Sequence, residues 1–213
     1  MISFNKRLFT FFAFLCLSGL VGAQSAKIEE GFDYRILPIA QPVEIKGKVE
    51  VIEFFWYGCP HCFDFEPTLA KWLKTMPKNV EFIRQPAVFS DLWGKHAKAY
   101  YTAEALGVVD KIHADFFTAL QVKKEHLETE DQLSKFFVAH GVSEADFKAT
   151  YNSFPVDMKV RQAATTAARY GVTGVPAIII NGKYKTSGPV AGSHEKIIEV
   201  LDRLIAQETA AQK

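Results

Sequence analysis

Two cysteines, Cys59 and Cys62, enclose Pro60 and His61 in a Cys-Pro-His-Cys motif. Thiols at this spacing can cycle between dithiol and disulfide, provided they share the first turn of a helix, where the sulfurs meet with little backbone movement. A thiol attacks only as thiolate, so its surroundings must lower its pKa. A helix N-terminus does this through unpaired N–H groups and the positive end of its dipole. On that geometry Cys59 is the attacking sulfur, and Cys62, one turn further in, resolves the mixed disulfide. Pro60 suits the first helical turn, where its missing N–H costs nothing. His61 supplies an imidazolium or N–H donor for the Cys59 thiolate. Stabilising the reduced form makes the disulfide more oxidising, by about 30 mV for each 1.4 kcal/mol.

Other chemistries fit the pair less well. A structural zinc site needs four ligands, and the sequence holds neither a second Cys-x-x-Cys nor a closely spaced histidine pair. A cysteine hydrolase would lose its nucleophile to the neighbouring thiol. No metal and no cofactor is therefore expected. His96, His113, His126, His140 and His194 show no ligand spacing and read as surface or packing residues.

The N-terminus indicates where this chemistry takes place. Lys6 and Arg7 precede an apolar run over residues 8–20, and Val21-Gly22-Ala23 supplies a small-residue cleavage site. This is the pattern of a secretory leader, with cleavage expected after Ala23. The run falls short of the roughly 20 residues a membrane span needs. Losing Lys6 and Arg7 would turn the net charge from +1 to −1, a balance that argues against nucleic acid or an anionic membrane as main partner. Cys16 would leave with the leader, so Cys59 and Cys62 would be the exported cysteines. A pair so close in sequence closes almost no loop and adds little stability. Its purpose is chemical.

The elements around the motif must position it. Residues 48–55 (KVEVIEFF) read as a buried strand, and a helix is expected from Pro60 to about residue 74, with Pro67 inside it. Residues 80–85 (VEFIRQ) form the next strand, giving a βαβ unit with the motif at the first strand's C-terminal end. Helices follow over residues 92–106 and 109–120, although Phe116-Phe117 is ambiguous. Thr129 and Gln132 form a capping box ahead of a helix that stops at Gly141. Ser143 opens another helix, and a further one spans residues 156–170. Residues 175–180 return to strand, Asn181-Gly182 predicts a hairpin into residues 183–187, and Ser193 caps a last helix over residues 194–207. The order describes an α/β domain over residues 24–87 and 171–213, interrupted by a helical insertion over 88–170. Phe116, Phe117, Phe136 and Phe137 read as insertion core, whereas Trp56 and Tyr57 suit either core or an apolar rim for unfolded substrates.

Residues 54–62 (FFWYGCPHC), the helix with Pro67, Gly174-Val175-Pro176-Ala177 and Asn181-Gly182-Lys183-Tyr184 together resemble the bacterial periplasmic DsbA family over essentially the whole mature length. The resemblance implies a thioredoxin fold with a helical insertion and donation of the Cys59–Cys62 disulfide to newly exported, reduced proteins. It also implies reoxidation by a quinone-linked membrane partner of the DsbB type. Val175-Pro176 matches the family's cis-proline loop, which pairs with substrate backbone. Glu53 matches a buried acid beneath the cysteines, suited to exchange a proton with Cys62. Arg84 falls where the family often carries a basic partner for that acid, so Glu53 is either a proton relay or one half of an ion pair. A monomer is the default expectation. A disulfide isomerase or reductase of the same fold is the nearest rival, but only about 25 residues separate the expected cleavage site from the first strand, too few for a dimerisation module. A non-catalytic binding or chaperone module is the rival from another class.

Overall fold

The computed structural model describes residues 27–43 and 45–212; the expected leader and its cleavage site lie outside them. Five strands form one mixed sheet in the order β1-β5-β4-β2-β3. They comprise β1 (Arg35–Ile36), β2 (Val49–Phe55), β3 (Val80–Pro86), β4 (Ala177–Ile180) and β5 (Tyr184–Ser187). Every residue of β2 is buried, as befits the central strand of a covered sheet, whose apolar run need not alternate. It pairs in parallel with β3, placing Glu53 opposite Arg84, and antiparallel with β4, placing Glu53 opposite Ile178.

Helix α1 (Pro60–Leu73) and helix α8 (His194–Ala211) cover one face of the sheet. Phe65, Leu69 and Trp72 of α1 share a core with Ile197, Leu201 and Leu204 of α8 and with Val49 and Val51 of β2. Between β3 and β4 the chain is helical: α2 (Asp91–Ala105), α3 (Val109–Gln121), α4 (Glu130–Ala139), α5 (Glu144–Tyr151) and α6 (Phe154–Arg169). Their core joins Phe116, Phe117, Phe137 and Phe147 to Phe55 and Tyr57 beside the reactive turn. The ambiguous Phe116-Phe117 pair is helical and buried. The capping box is present in full, with Thr129 accepting from the Gln132 backbone N–H and Gln132 reaching back.

Several boundaries differ from expectation. The 175–180 strand begins only at Ala177, and Val175-Pro176 ahead of it forms the cis peptide that the family resemblance implied. Helix α6 starts at Phe154, with Pro155 in its first turn, and α8 continues to Ala211. The two-residue β1 and the four-residue α7 (Gly188–Ala191) were not anticipated. Both are too short to carry a periodic pattern. The expected hairpin forms, with Asn181 and Gly182 both at positive φ (50° and 64°), as a type I′ turn requires.

Candidate active site

Three connections meet at the C-terminal end of β2: residues 56–59 after β2, residues 87–90 after β3, and residues 173–176 before β4. Cys59 is the N-cap of α1, with extended backbone, and the Cys62 backbone N–H donates to its Sγ at 3.3 Å. Pro60 occupies the first turn, as expected. The Cys59 thiol in turn donates to the Val175 carbonyl at 3.4 Å, so the residue before cis-Pro176 lies directly against the outer sulfur. Both cysteines are free thiols, with Cys62 fully buried and Cys59 7 % exposed.

The two sulfurs have opposite acidities. Cys59 is lowered from 9.0 to about 6, first by its side-chain hydrogen bond with Cys62, against burial, and then by the Cys62 and His61 backbone N–H groups and the charge of His61. Helix geometry thus contributes more than the His61 imidazole, which is exposed. Cys62 is pushed well above the ordinary thiol range, first by burial and then by its bond to Cys59 and the charge there. A negative charge placed on this pair settles on Cys59.

Beneath the pair, Glu53 is 0 % exposed. Burial raises its carboxyl to about 8, although Arg84 pulls it down; the charge of Glu66 adds to the rise. Arg84 Nε stands 3.3 Å from Glu53 Oε2, but neither that nitrogen nor either Glu53 oxygen makes a hydrogen bond. The Arg84 fork is directed instead at Glu66, with Nη2 at 3.1 and 2.9 Å from its two oxygens. Glu66 lies one helical turn beyond Cys62 on α1 and also faces His113 Nε2 at 3.3 Å. Burial works against its ionised form, but hydrogen bonding and charge from His113, with Arg84, hold its carboxyl below the usual range. Arg84 thus faces both acids, hydrogen-bonding Glu66 while standing beside Glu53, and burial pushes Glu53 toward its neutral form.

The insertion holds the reactive turn from its other side. Tyr57 Oη meets His113 Nδ1 at 2.9 Å, and Gln121 Nε2 donates to the Tyr57 carbonyl at 2.8 Å. With Glu66 ionised, His113 carries its proton on Nε2, which leaves Nδ1 to accept from Tyr57. Trp56 Nε1 donates to His96 Nδ1 at 3.0 Å, while His96 Nε2 faces the Leu127 carbonyl. Burial lowers His96 to about 4 and keeps it neutral.

All the expected site residues converge here: Cys59, Pro60, His61 and Cys62 on one turn, Glu53 below them, and Val175-Pro176 alongside. Glu66 and His113 were missed. The i,i+4 spacing of Cys62 and Glu66 was the available clue for the first; His113 is joined to the site only by the tertiary fold. A cavity of about 510 Å³ opens beside the turn, lined in part by His61, Val175, Pro176, Pro189 and His194. Among the described residues no cluster of side chains could hold a metal ion.

Comparison with known proteins agrees with this geometry. The model of the DSBA-like thioredoxin domain matches residues 50–197. Thiol:disulfide interchange protein DsbA of Pseudomonas syringae pv. tomato is 42 % identical over 197 residues, covering 92 % of each chain. Its counterpart in Azotobacter vinelandii is 40 % identical, covering 88 % of this chain and 87 % of the relative. A crystal structure of Pseudomonas aeruginosa DsbA superposes with a TM-score of 0.82 at 39 % identity, covering 85 % of this chain and 94 % of that one. For the oxidoreductase DsbA from Xylella fastidiosa the TM-score is 0.80 at 33 % identity, covering 86 % and 98 %. The chain belongs to the DsbA-like thioredoxin domain family and is a thiol:disulfide oxidoreductase with a Cys59–Cys62 pair.

Proposed function

We propose that the protein works in the periplasm as a disulfide oxidase, after cleavage of its leader behind Ala23, and passes the Cys59–Cys62 disulfide to reduced, newly exported proteins. A substrate thiolate attacks Cys59 Sγ, the Cys59–Cys62 bond breaks, and its electron pair leaves on Cys62. Cys62 takes a proton from Glu53, the neutral acid beneath it. The substrate's second thiolate then attacks its own bridged sulfur, and Cys59 departs as a stable thiolate. The substrate gains a disulfide and the protein is left reduced; when both substrate thiols start protonated they release two protons, one of which restores Glu53. Val175 and cis-Pro176 hold the substrate backbone beside Cys59, and His61 adds charge at the helix mouth.

A quinone-linked membrane partner of the DsbB type restores the disulfide, and the protein acts as a monomer. Residues 24–87 and 171–213 form the thioredoxin-like unit, and 88–170 the insertion that braces the reactive turn. One observation carries this reading: the outer sulfur caps α1 and is held at a pKa of about 6, which favours the reduced form and makes the disulfide oxidising. Oxidation of a reduced two-cysteine protein tests it. Cys59→Ser abolishes oxidation, whereas Cys62→Ser accumulates mixed disulfides through Cys59. Undiminished oxidation by Cys59→Ser would refute the assignment.

A further inference from the structure

Two carboxyls, Glu53 and Glu66, face one guanidinium. Arg84 stands 3.3 Å from Glu53 through Nε and donates to the two Glu66 oxygens through Nη2 at 3.1 and 2.9 Å. One cation balances one anion, so near neutral pH one of the two acids keeps its proton. Hydrogen bonds decide which. Glu66 has a further donor in His113 Nε2 at 3.3 Å, whereas neither Glu53 oxygen receives a hydrogen bond from the protein. The other titratable groups around these acids come from every element packed there: Cys59 and Cys62 at the start of α1, Tyr57 in the reactive turn, Tyr100 on α2 and Asp110 on α3. Burial pushes Cys62, Tyr57 and Tyr100 above their ordinary ranges, so they stay uncharged at neutral pH. Asp110 is exposed to solvent. Arg84 is the only fixed cation among these groups.

The His113 imidazole is held so that it must donate to Glu66. Tyr57 Oη stands 2.9 Å from Nδ1, and with that nitrogen accepting, the ring proton belongs on Nε2. Tyr57 is itself fixed by Phe116, stacked on it at 4.2 Å, and by Gln121 on its carbonyl. Phe55 and Phe117 meet the His113 ring edge to face at 5.3 and 5.2 Å. Burial lowers His113 below the ordinary histidine range, so it donates as a neutral ring. We propose that His113, on the insertion, is a positioning residue for the proton step at Cys62: its Nε2–H holds the negative charge on Glu66 and so leaves the transferable proton on Glu53. Without that donor the charge on Glu66 is less well stabilised. Once Glu66 takes the proton, Arg84 is left with Glu53 as its anion, and Glu53 ionises. The proton has only changed carboxyl, but the Cys62 thiolate formed as the disulfide opens then has no acid beneath it. This inference deepens the oxidase reading above and rests on Glu53 as the donor.

Infrared titration of the reduced protein tests this, through the carbonyl stretch of a protonated carboxylic acid that Glu53→Gln removes. In the wild type that band should titrate near pH 8. His113→Asn keeps a polar group for Tyr57 but is too short to reach Glu66, whereas His113→Gln places an amide N–H where Nε2 stands. Losing one hydrogen bond to a charged group corresponds to a fall of about one pH unit in the midpoint, expected for Asn and absent for Gln. The rate of oxidising a reduced two-cysteine peptide, relative to wild type, should then drop about threefold for His113→Asn between pH 6 and pH 7.5 and stay level for His113→Gln. An unchanged or raised midpoint in His113→Asn overturns the inference. So does an equal fall in both variants, which would make His113 a packing residue. Glu66→Gln removes the acceptor itself and must lower the same midpoint even if the histidine variants fail to fold; an unchanged midpoint there also overturns the inference. A wild type without the band at pH 7 would overturn both the Glu53 donor and its positioning residue. If the midpoints behave as expected but no peptide is oxidised, the oxidase reading fails and the placement of the proton stands.

Discussion

The difference between two sulfurs three residues apart is a difference of environment. Cys59 stands where the first turn of α1 presents N–H groups, whereas Cys62 is inside the core. Glu53 follows the same logic with opposite sign. Its carboxyl titrates near 4.5 when exposed and near 8 in the fold, so at neutral pH folding draws in a proton. The resulting stability is complete below pH 4.5 and erodes as the pH rises through 8. Glu53→Gln removes this dependence. The variant should be more stable than wild type at pH 7–8, by about 1–3 kcal/mol, with the gap closing toward pH 4; denaturant titrations across that range measure it. A gap independent of pH would mean that Glu53 is ionised in the fold. The sequence presented Glu53 with two possible roles, because Arg84 was visible as a partner while Glu66 was not recognised as the competitor that engages it. Only the packing of α1 against β3 reveals that competition.

At the scale of elements, legibility followed pattern length. Strand β2, the Asn181-Gly182 hairpin and the Thr129 box could be read because each rests on local sterics or on a hydrogen bond within a few residues. β1 and α7 have no such pattern; β1 exists because β5 offers it an edge. Apolar composition carried the strand reading back to Val175, but the resemblance to a cis-proline loop had marked Val175-Pro176, and the peptide there is cis. The capping box supports a direct test. Thr129→Ala removes the acceptor for the Gln132 N–H and should cost about 1 kcal/mol, read as a lowered melting temperature. Its rate of substrate oxidation should not change, because α4 supplies no group to the reactive turn. A large loss of activity in the folded variant would show that the insertion is coupled to the site more tightly than its contacts indicate.

The molecule as a whole stores its oxidising power as a preference for the reduced fold. Free thiol Cys59 titrates near 9.0 and the folded one near 6. The stability this contributes to the reduced protein is therefore fully present above pH 9, declines as the pH falls, and is gone below about 6. The bridged protein has no such thiolate. The melting temperature of the reduced form minus that of the oxidised form should accordingly increase from pH 5 to pH 8. A difference that does not change over this interval would remove the driving force. Among the described residues no helix is long and apolar enough to cross a membrane, and the reactive turn opens on the surface between sheet and insertion. There a single thiolate can meet an extended chain.

The most direct measurement is the rate at which a small alkylating reagent modifies Cys59 in the reduced protein as a function of pH, followed by mass spectrometry. Because Cys62 is buried and its thiol strongly raised, the profile reports on Cys59 alone. The account predicts a titration with its midpoint near pH 6 and rapid alkylation persisting at pH 7. A midpoint near 9, the value from which the fold lowers this thiol, would contradict it.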